Sequence, residues 1–100
     1  MLMKKEIMKI IEKNKNKIKN FGAKKLILIG SYARDEATKN SDIDFLVEFK
    51  KGRGLFDDYV HLRQLLENIL KQKIDLGERH LIREELKESI LECAGIEAKM

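Results

Sequence analysis

The stretch from residue 26 to residue 49 constrains this chain most. It reads Leu-Ile-Leu-Ile-Gly-Ser-Tyr-Ala-Arg-Asp-Glu-Ala-Thr-Lys-Asn-Ser-Asp-Ile-Asp-Phe-Leu-Val-Glu-Phe. Leu26 to Ile29 is an apolar run of strand length, and it ends at Gly30-Ser31, where a tight turn or a helical turn must begin. Ser41-Asp42-Ile43-Asp44 then opens a second run, in which Ile43, Phe45, Val47 and Phe49 alternate with Asp44, Leu46 and Glu48. Residues two apart on a strand share a face, so Asp42 and Asp44 point the same way. Adjacent carboxylates repel and lose hydration, a cost that a bound cation removes. Gly30 lets a ligand approach without a Cβ in its path. Ser31 adds a hydroxyl and a backbone N–H at the start of a short helix, a natural phosphate seat.

Around this stretch the chain reads as alternating helices and strands. Leu2 to Asn20 has Met3, Ile7, Ile10, Ile11, Ile18 and Phe21 at helical spacing, interrupted at Asn14, with Gly22 as its C-terminal cap. The lysines from Lys13 to Lys19 have no aromatic residues between them and read as a solvated helix face, not as a nucleic-acid site. Lys50-Lys51-Gly52-Arg53-Gly54 reads as a turn. Leu55 to Leu70 reads as a helix with Leu55, Tyr59, Leu62, Leu66 and Ile69 on its inner face, widened by Phe56, Leu65 and Leu70. Asp57 and Asp58 favour its positive end. His61 has no His or Cys partner at metal-ligand spacing and is assigned a structural or surface role. Lys73 to Gly77 is a short strand, with Asp75 on the face opposite Ile74 and Leu76. It can add a third carboxylate only if this strand lies beside the second, which spacing does not decide. A last helix is expected from about Arg83 to Ala98, with Cys93 as a packing residue.

The expected architecture is α/β, in the order αβαβαβα, with a small mixed sheet flanked by helices. One hundred residues with 43% apolar content suit a single domain over residues 1–100, able to bury roughly two-thirds of its unfolded surface. A lone cysteine excludes an internal disulfide, and no apolar run reaches the ~18 residues of a membrane span. The start of the chain has no signal-peptide core, so a cytoplasmic protein without a membrane partner is expected. The net charge of +4 is too modest to demand a nucleic acid.

Gly30-Ser31 followed after ten residues by Asp42-Ile43-Asp44 resembles the signature of the DNA polymerase β-like nucleotidyltransferases. Gly30-Ser31-Tyr32-Ala33-Arg34, Ser41 to Phe49, Leu55-Phe56-Asp57 and Ile74-Asp75-Leu76 resemble, more narrowly, the minimal nucleotidyltransferase (MNT) family, over roughly residues 2–98. The resemblance implies a small polymerase β-like palm domain. It implies transfer of AMP from ATP to an acceptor hydroxyl with two Mg²⁺ ions. By the family pattern Asp42, Asp44 and Asp75 match the catalytic metal ligands, and Gly30 and Ser31 match the nucleotide-binding residues. It also implies a role as the antitoxin of a HEPN-domain toxin, modified on a tyrosine. A small molecule or tRNA as acceptor with the site completed by homo-oligomerisation, or neutralisation of the partner by binding alone, are the alternatives. The family usually has Gly where this chain has Asp35, expected to be silent through pairing with Arg34 or Lys39, or to face the partner.

Overall fold

The computed structural model describes residues 2–78 and 96–98. The elements run α1 (Lys4–Lys13), α2 (Lys15–Asn20), β1 (Ala23–Ile29), α3 (Gly30–Ala33), β2 (Ile43–Phe49), α4 (Phe56–Leu70), β3 (Ile74–Glu78) and β4 (Ile96–Glu97).

The first helical stretch is two helices, not one. At Asn14 the side-chain amide donates to the Ile10 carbonyl at 2.8 Å, competing for a helical acceptor as short polar side chains do. The Asn14 N–H is shared between the Ile10 and Ile11 carbonyls at 3.2 and 3.1 Å. The apolar stripe nevertheless continues across the break, with Ile7, Ile11 and Ile18 fully buried. Gly22 then takes a φ of 87°, and its N–H reaches the Lys19 carbonyl at 2.9 Å. That is the left-handed termination expected of it.

The sheet has the order β3-β2-β1-β4. β1 pairs antiparallel with β2 and β4, and β2 pairs parallel with β3, so the sheet is mixed, as expected. One of its faces carries Leu26, Leu28, Ile43, Phe45, Val47, Ile74 and Leu76, which pack with Ile7, Ile11 and Ile18 and with Leu62, Leu66 and Leu70 of α4. Removing this apolar surface from water is the main force holding the layers together. The Tyr59 hydroxyl donates to the Leu76 carbonyl at 2.5 Å, which fixes α4 on β3.

Two expectations change. Leu55 and Phe56 do not join the inner stripe: they are 75% and 79% exposed. Leu55 is the extended N-cap of α4, and the helix has not yet turned onto the sheet there. The last helix also does not reach Ala98. Ile96–Glu97 forms β4 beside β1, and the Ala98 N–H donates to the Leu26 carbonyl at 2.8 Å. Backbone pairing with an otherwise open sheet edge overrides helical spacing at these residues. The rest of that helix, and Cys93 with it, lies outside the described residues. Among the described residues no helix is long and apolar enough to cross a membrane.

Candidate active site

The antiparallel β1–β2 pair brings the end of one apolar run to the start of the other. Ile29 stands opposite Asp44, so Gly30 and Ser31 emerge beside the Asp42-x-Asp44 segment. Gly30 has a φ of 75°, a conformation that costs an L-residue steric strain. A Cβ on Gly30 would also overlap the Asp44 carboxylate. Glycine is therefore required twice at this position, by the backbone and by its neighbour. Its carbonyl accepts from the Arg34 N–H at 3.2 Å, and the Ser31 carbonyl accepts from Glu36 at 2.8 Å. Ser31 is half-buried.

The parallel β2–β3 register settles the place of Asp75: it is the direct partner of Asp44. Paired residues of neighbouring strands share a face, so Asp75 joins Asp44 on the side of the sheet away from Ile43, Phe45, Ile74 and Leu76. Asp42 lies just before β2, where the Ile43 N–H is held by the Lys73 carbonyl at 3.1 Å. Asp42 and Asp44 are half-buried and Asp75 is exposed.

The electrostatics follow from this placement. The Asp44 carboxyl is pushed above its ordinary value, first by burial, then by the charges of Asp75 and Asp42, with Arg34 opposing. Like charges and lost hydration both disfavour its ionised form. Among the described residues no three Asp, Glu, His or Cys side chains close into a cation cage. The carboxylates instead form an open row whose members feel one another. Such a row suits a hard divalent cation: its donors are all oxygen, one flank is open, and a cation relieves the repulsion that raises Asp44.

Two side chains that the sequence assigned no part in the site now have one. The Tyr32 hydroxyl, on a ring that is only 2% exposed, donates to the Gln72 side-chain carbonyl at 2.7 Å. With the Ile43–Lys73 bond, it ties α3 and the start of β2 to the segment leading into Asp75. Arg34, beside the row, donates to Glu36 at 3.0 Å. Its place after Gly30-Ser31-Tyr32-Ala33 was the only sequence signal for it. Asp35 does pair with a basic residue, but with a different one from those expected. It pairs with Lys4 at 2.9 Å, not with Arg34 or Lys39, because α1 crosses this loop. It has a φ of 58°, a conformation that glycine adopts at least cost.

The model of the nucleotidyltransferase domain family matches residues 7–96. MJ1379 of Methanocaldococcus jannaschii, assigned by name to the protein adenylyltransferases, is 44% identical over 73 residues, 71% of this chain and 73% of that protein. Protein adenylyltransferase MntA of Thermococcus cleftensis is 30% identical over 92 residues, 91% of this chain and 92% of that one. A solved structure described as a minimal nucleotidyltransferase superposes with a TM-score of 0.73 at 29% identity, covering 89% of this chain and 93% of the other. The fold alone is shared with a chain from the complex of tri-AMPylated Shewanella oneidensis HEPN toxin with MNT antitoxin. There the TM-score is 0.54 at 22% identity, over 86% of this chain and 69% of that one. An acidic row set against a glycine-serine turn, on a fold shared with these proteins, places the chain in the nucleotidyltransferase domain family, and it is an enzyme of the nucleotidyltransferase class.

Proposed function

We propose that this chain is a Mg²⁺-dependent protein adenylyltransferase. It moves AMP from ATP to a hydroxyl, that of a tyrosine on a HEPN-domain toxin, and so acts as the antitoxin. The observation that carries the chemistry is the register placing Asp75 against Asp44, whose carboxylate lies against Gly30 where no Cβ would fit. The choice of AMP and of a protein acceptor is supported by the likeness to adenylyltransferase MntA and by the fold shared with a chain of the MNT–HEPN complex.

In this reading Asp42 and Asp44 would hold Mg²⁺, and Asp75 would complete the set. When bound, Mg²⁺ neutralises the triphosphate and supplies positive charge where the attacking and leaving oxygens gather negative charge. Gly30 and Ser31 offer backbone N–H groups and the Ser31 Oγ to the β- and γ-phosphates, which departs as pyrophosphate. Asp75, the most exposed of the three carboxylates, receives the proton of the acceptor hydroxyl on its carboxylate oxygen, so that the oxygen can bond the α-phosphorus. Arg34 lies close enough to Asp44 to oppose the rise that burial and the neighbouring carboxylates cause.

A role as a binding antitoxin without catalysis is less well supported. A mere scaffold gains nothing from keeping Asp44 beside two like charges. The test is to incubate the chain with α-labelled ATP, Mg²⁺ and the product of its neighbouring gene. Label on a tyrosine of that product, absent when EDTA is present from the start, is the expected result. Label on tRNA or a small molecule instead would replace the acceptor while leaving the chemistry. No transfer to any acceptor would return the chain to a binding role.

A further inference from the structure

The fold gives the lysine run of α1 and α2 a companion that the sequence does not show. Residues 13–25 carry Lys13, Lys15, Lys17, Lys19, Lys24 and Lys25 and no acidic residue, and residues 50–53 carry Lys50, Lys51 and Arg53, again without an acid. The loop after β2 closes onto the α2–β1 turn. The Lys50 N–H donates to the Gly22 carbonyl at 2.8 Å, and the Arg53 N–H to the Lys50 carbonyl at 2.9 Å. Arg53 Nη2 donates to the Asn20 carbonyl at 2.8 Å. Gly22 makes this closure possible, since a Cβ there would lie 2.6 Å from the Arg53 Cβ.

Nine of the 21 basic residues thus fall in two segments joined at the end of the sheet remote from Asp44 and Asp75, and none of the 17 acidic residues lies within those segments. Asp58 reaches this pole but is taken up by Arg53, and Lys25 stands opposite Glu48 across β1–β2. Lys13, Lys15, Lys17, Lys24, Lys50 and Lys51 are exposed. Among the described residues none of these six is in an ion pair.

We propose that this pole binds the phosphate backbone of a nucleic-acid duplex. Many flexible cations without intervening carboxylates suit a line of phosphates, whose counterions they release. A protein partner fits less well, because protein interfaces are poor in lysine and need apolar anchors. Within the two basic segments Ile18 and Ala23 are buried, and the exposed Leu55 and Phe56 lie beyond Gly54, at the start of α4. A single strand also fits less well, because it needs an aromatic stacking platform. The one aromatic ring in the two segments, Phe21, packs against the core and against His61 at a centroid distance of 5.6 Å.

The test uses the whole chain without nucleotide, titrated into labelled RNA and DNA duplexes of about 20 base pairs at low and raised salt. If about four lysines reach phosphates, affinity falls roughly a hundredfold between 50 and 200 mM salt. The triple variant Lys17→Glu, Lys24→Glu, Lys51→Glu should bind far more weakly and flatten the salt slope by about 3. A control with the same charge change, Lys5→Glu, Lys39→Glu, Lys71→Glu, should keep most of both. Both variants should keep the parent's circular dichroism spectrum and its ATP affinity, which separates this surface from the nucleotide site. Tighter binding to one duplex type names the source and supports the proposal. Four results overturn it: no binding to either duplex at low salt, equal loss in both variants, tighter binding to a single strand, or displacement by polyglutamate at equal charge.

Discussion

Two aspartates at opposite ends of the sheet carry opposite electrostatic histories. Asp44 is raised by burial and by Asp75 and Asp42. Asp58 is pulled down to about 2, chiefly by its hydrogen bonds from the Arg53 guanidinium and the Gly54 N–H. The Arg53 bonds are 2.9 and 3.0 Å and the Gly54 bond is 3.0 Å. Asp58 is therefore complete within the chain: it closes the loop onto α4 and needs nothing else. Asp44 is incomplete, since two more negative charges act on it, Arg34 offsets them only in part, and Gly30 makes room for its carboxylate without pairing it. A carboxylate that the fold satisfies is structural, and one that the fold leaves in repulsion awaits a partner from outside.

The largest effect should come from removing the incomplete end. Asp42→Asn with Asp44→Asn deletes the charge proposed to hold the cation, a contribution of several kcal/mol, and should lower transfer of label from ATP by about a thousandfold or more. The same variant should melt no lower than the parent without metal, because the repulsion goes too. If transfer persisted near the parent rate, Asp44 would be no more functional than Asp58.

Gly30→Ala ranks next. The φ of 75° alone costs about 1–2 kcal/mol for an L-residue, and the new Cβ must displace Asp44. Melting should fall by several degrees and transfer should fall with it. Full activity would mean that the carboxylate does not need its present position. Ser31→Ala should be milder, because the backbone donors remain. Losing one hydrogen bond to a charged group costs about 1.5–3 kcal/mol, roughly ten- to a hundredfold in ATP affinity or turnover. Unchanged kinetics would leave Ser31 as a turn residue only.

The other end should show itself in acid. A carboxyl lowered to about 2 in the fold adds stability above the unfolded value near 3.8, and that stability is lost as the pH falls towards 2. For Asp44 the sign is reversed: its raised value favours the fold when protonated, and that advantage is lost as the pH rises through it. Thermal melts from pH 6 to pH 2 should therefore fall less steeply below about pH 4 in Asp58→Asn than in the parent. Parallel curves would contradict the Arg53–Asp58 contribution.

Asp35→Gly should have the smallest effect. It removes an exposed ion pair with Lys4, worth about 0.2–1 kcal/mol, and relieves a left-handed aspartate, so the two terms oppose. ATP affinity and transfer should stay within a few-fold of the parent at low and high salt. A large gain, strongest at low salt, would show that Asp35 repels the triphosphate.

Local pattern made much of this legible. The period-two alternation from Ile43 to Phe49 fixed which side faces the core, and the lengths of the flanking runs suggested the β1–β2 pair. Asp75 was legible as a residue but not as a neighbour, because its place depends on a parallel register between strands separated by α4. The same holds for the loop at Lys50–Arg53, whose docking on Gly22 is a long-range contact. Helical spacing overreached at Leu55 and Phe56, where periodicity continues past the point at which α4 meets the sheet. It overreached again at Ile96–Glu97, where an available strand edge outweighs local preference. The pairing of Asp35 with Lys4 depends on how α1 crosses the loop, which no spacing encodes.

The most direct measurement of the central claim is the melting temperature with and without Mg²⁺-ATP, in the parent and in Asp42→Asn with Asp44→Asn. A ligand at a hundred times its Kd stabilises by about 2.7 kcal/mol, which in a chain this size is a rise of roughly 10–20 °C. The parent should show a rise on that scale with Mg²⁺ and ATP together, most of it lost when EDTA replaces the metal, and the double variant should show none. An equal rise in the double variant would place the metal and nucleotide elsewhere and contradict the assignment of the carboxylate row.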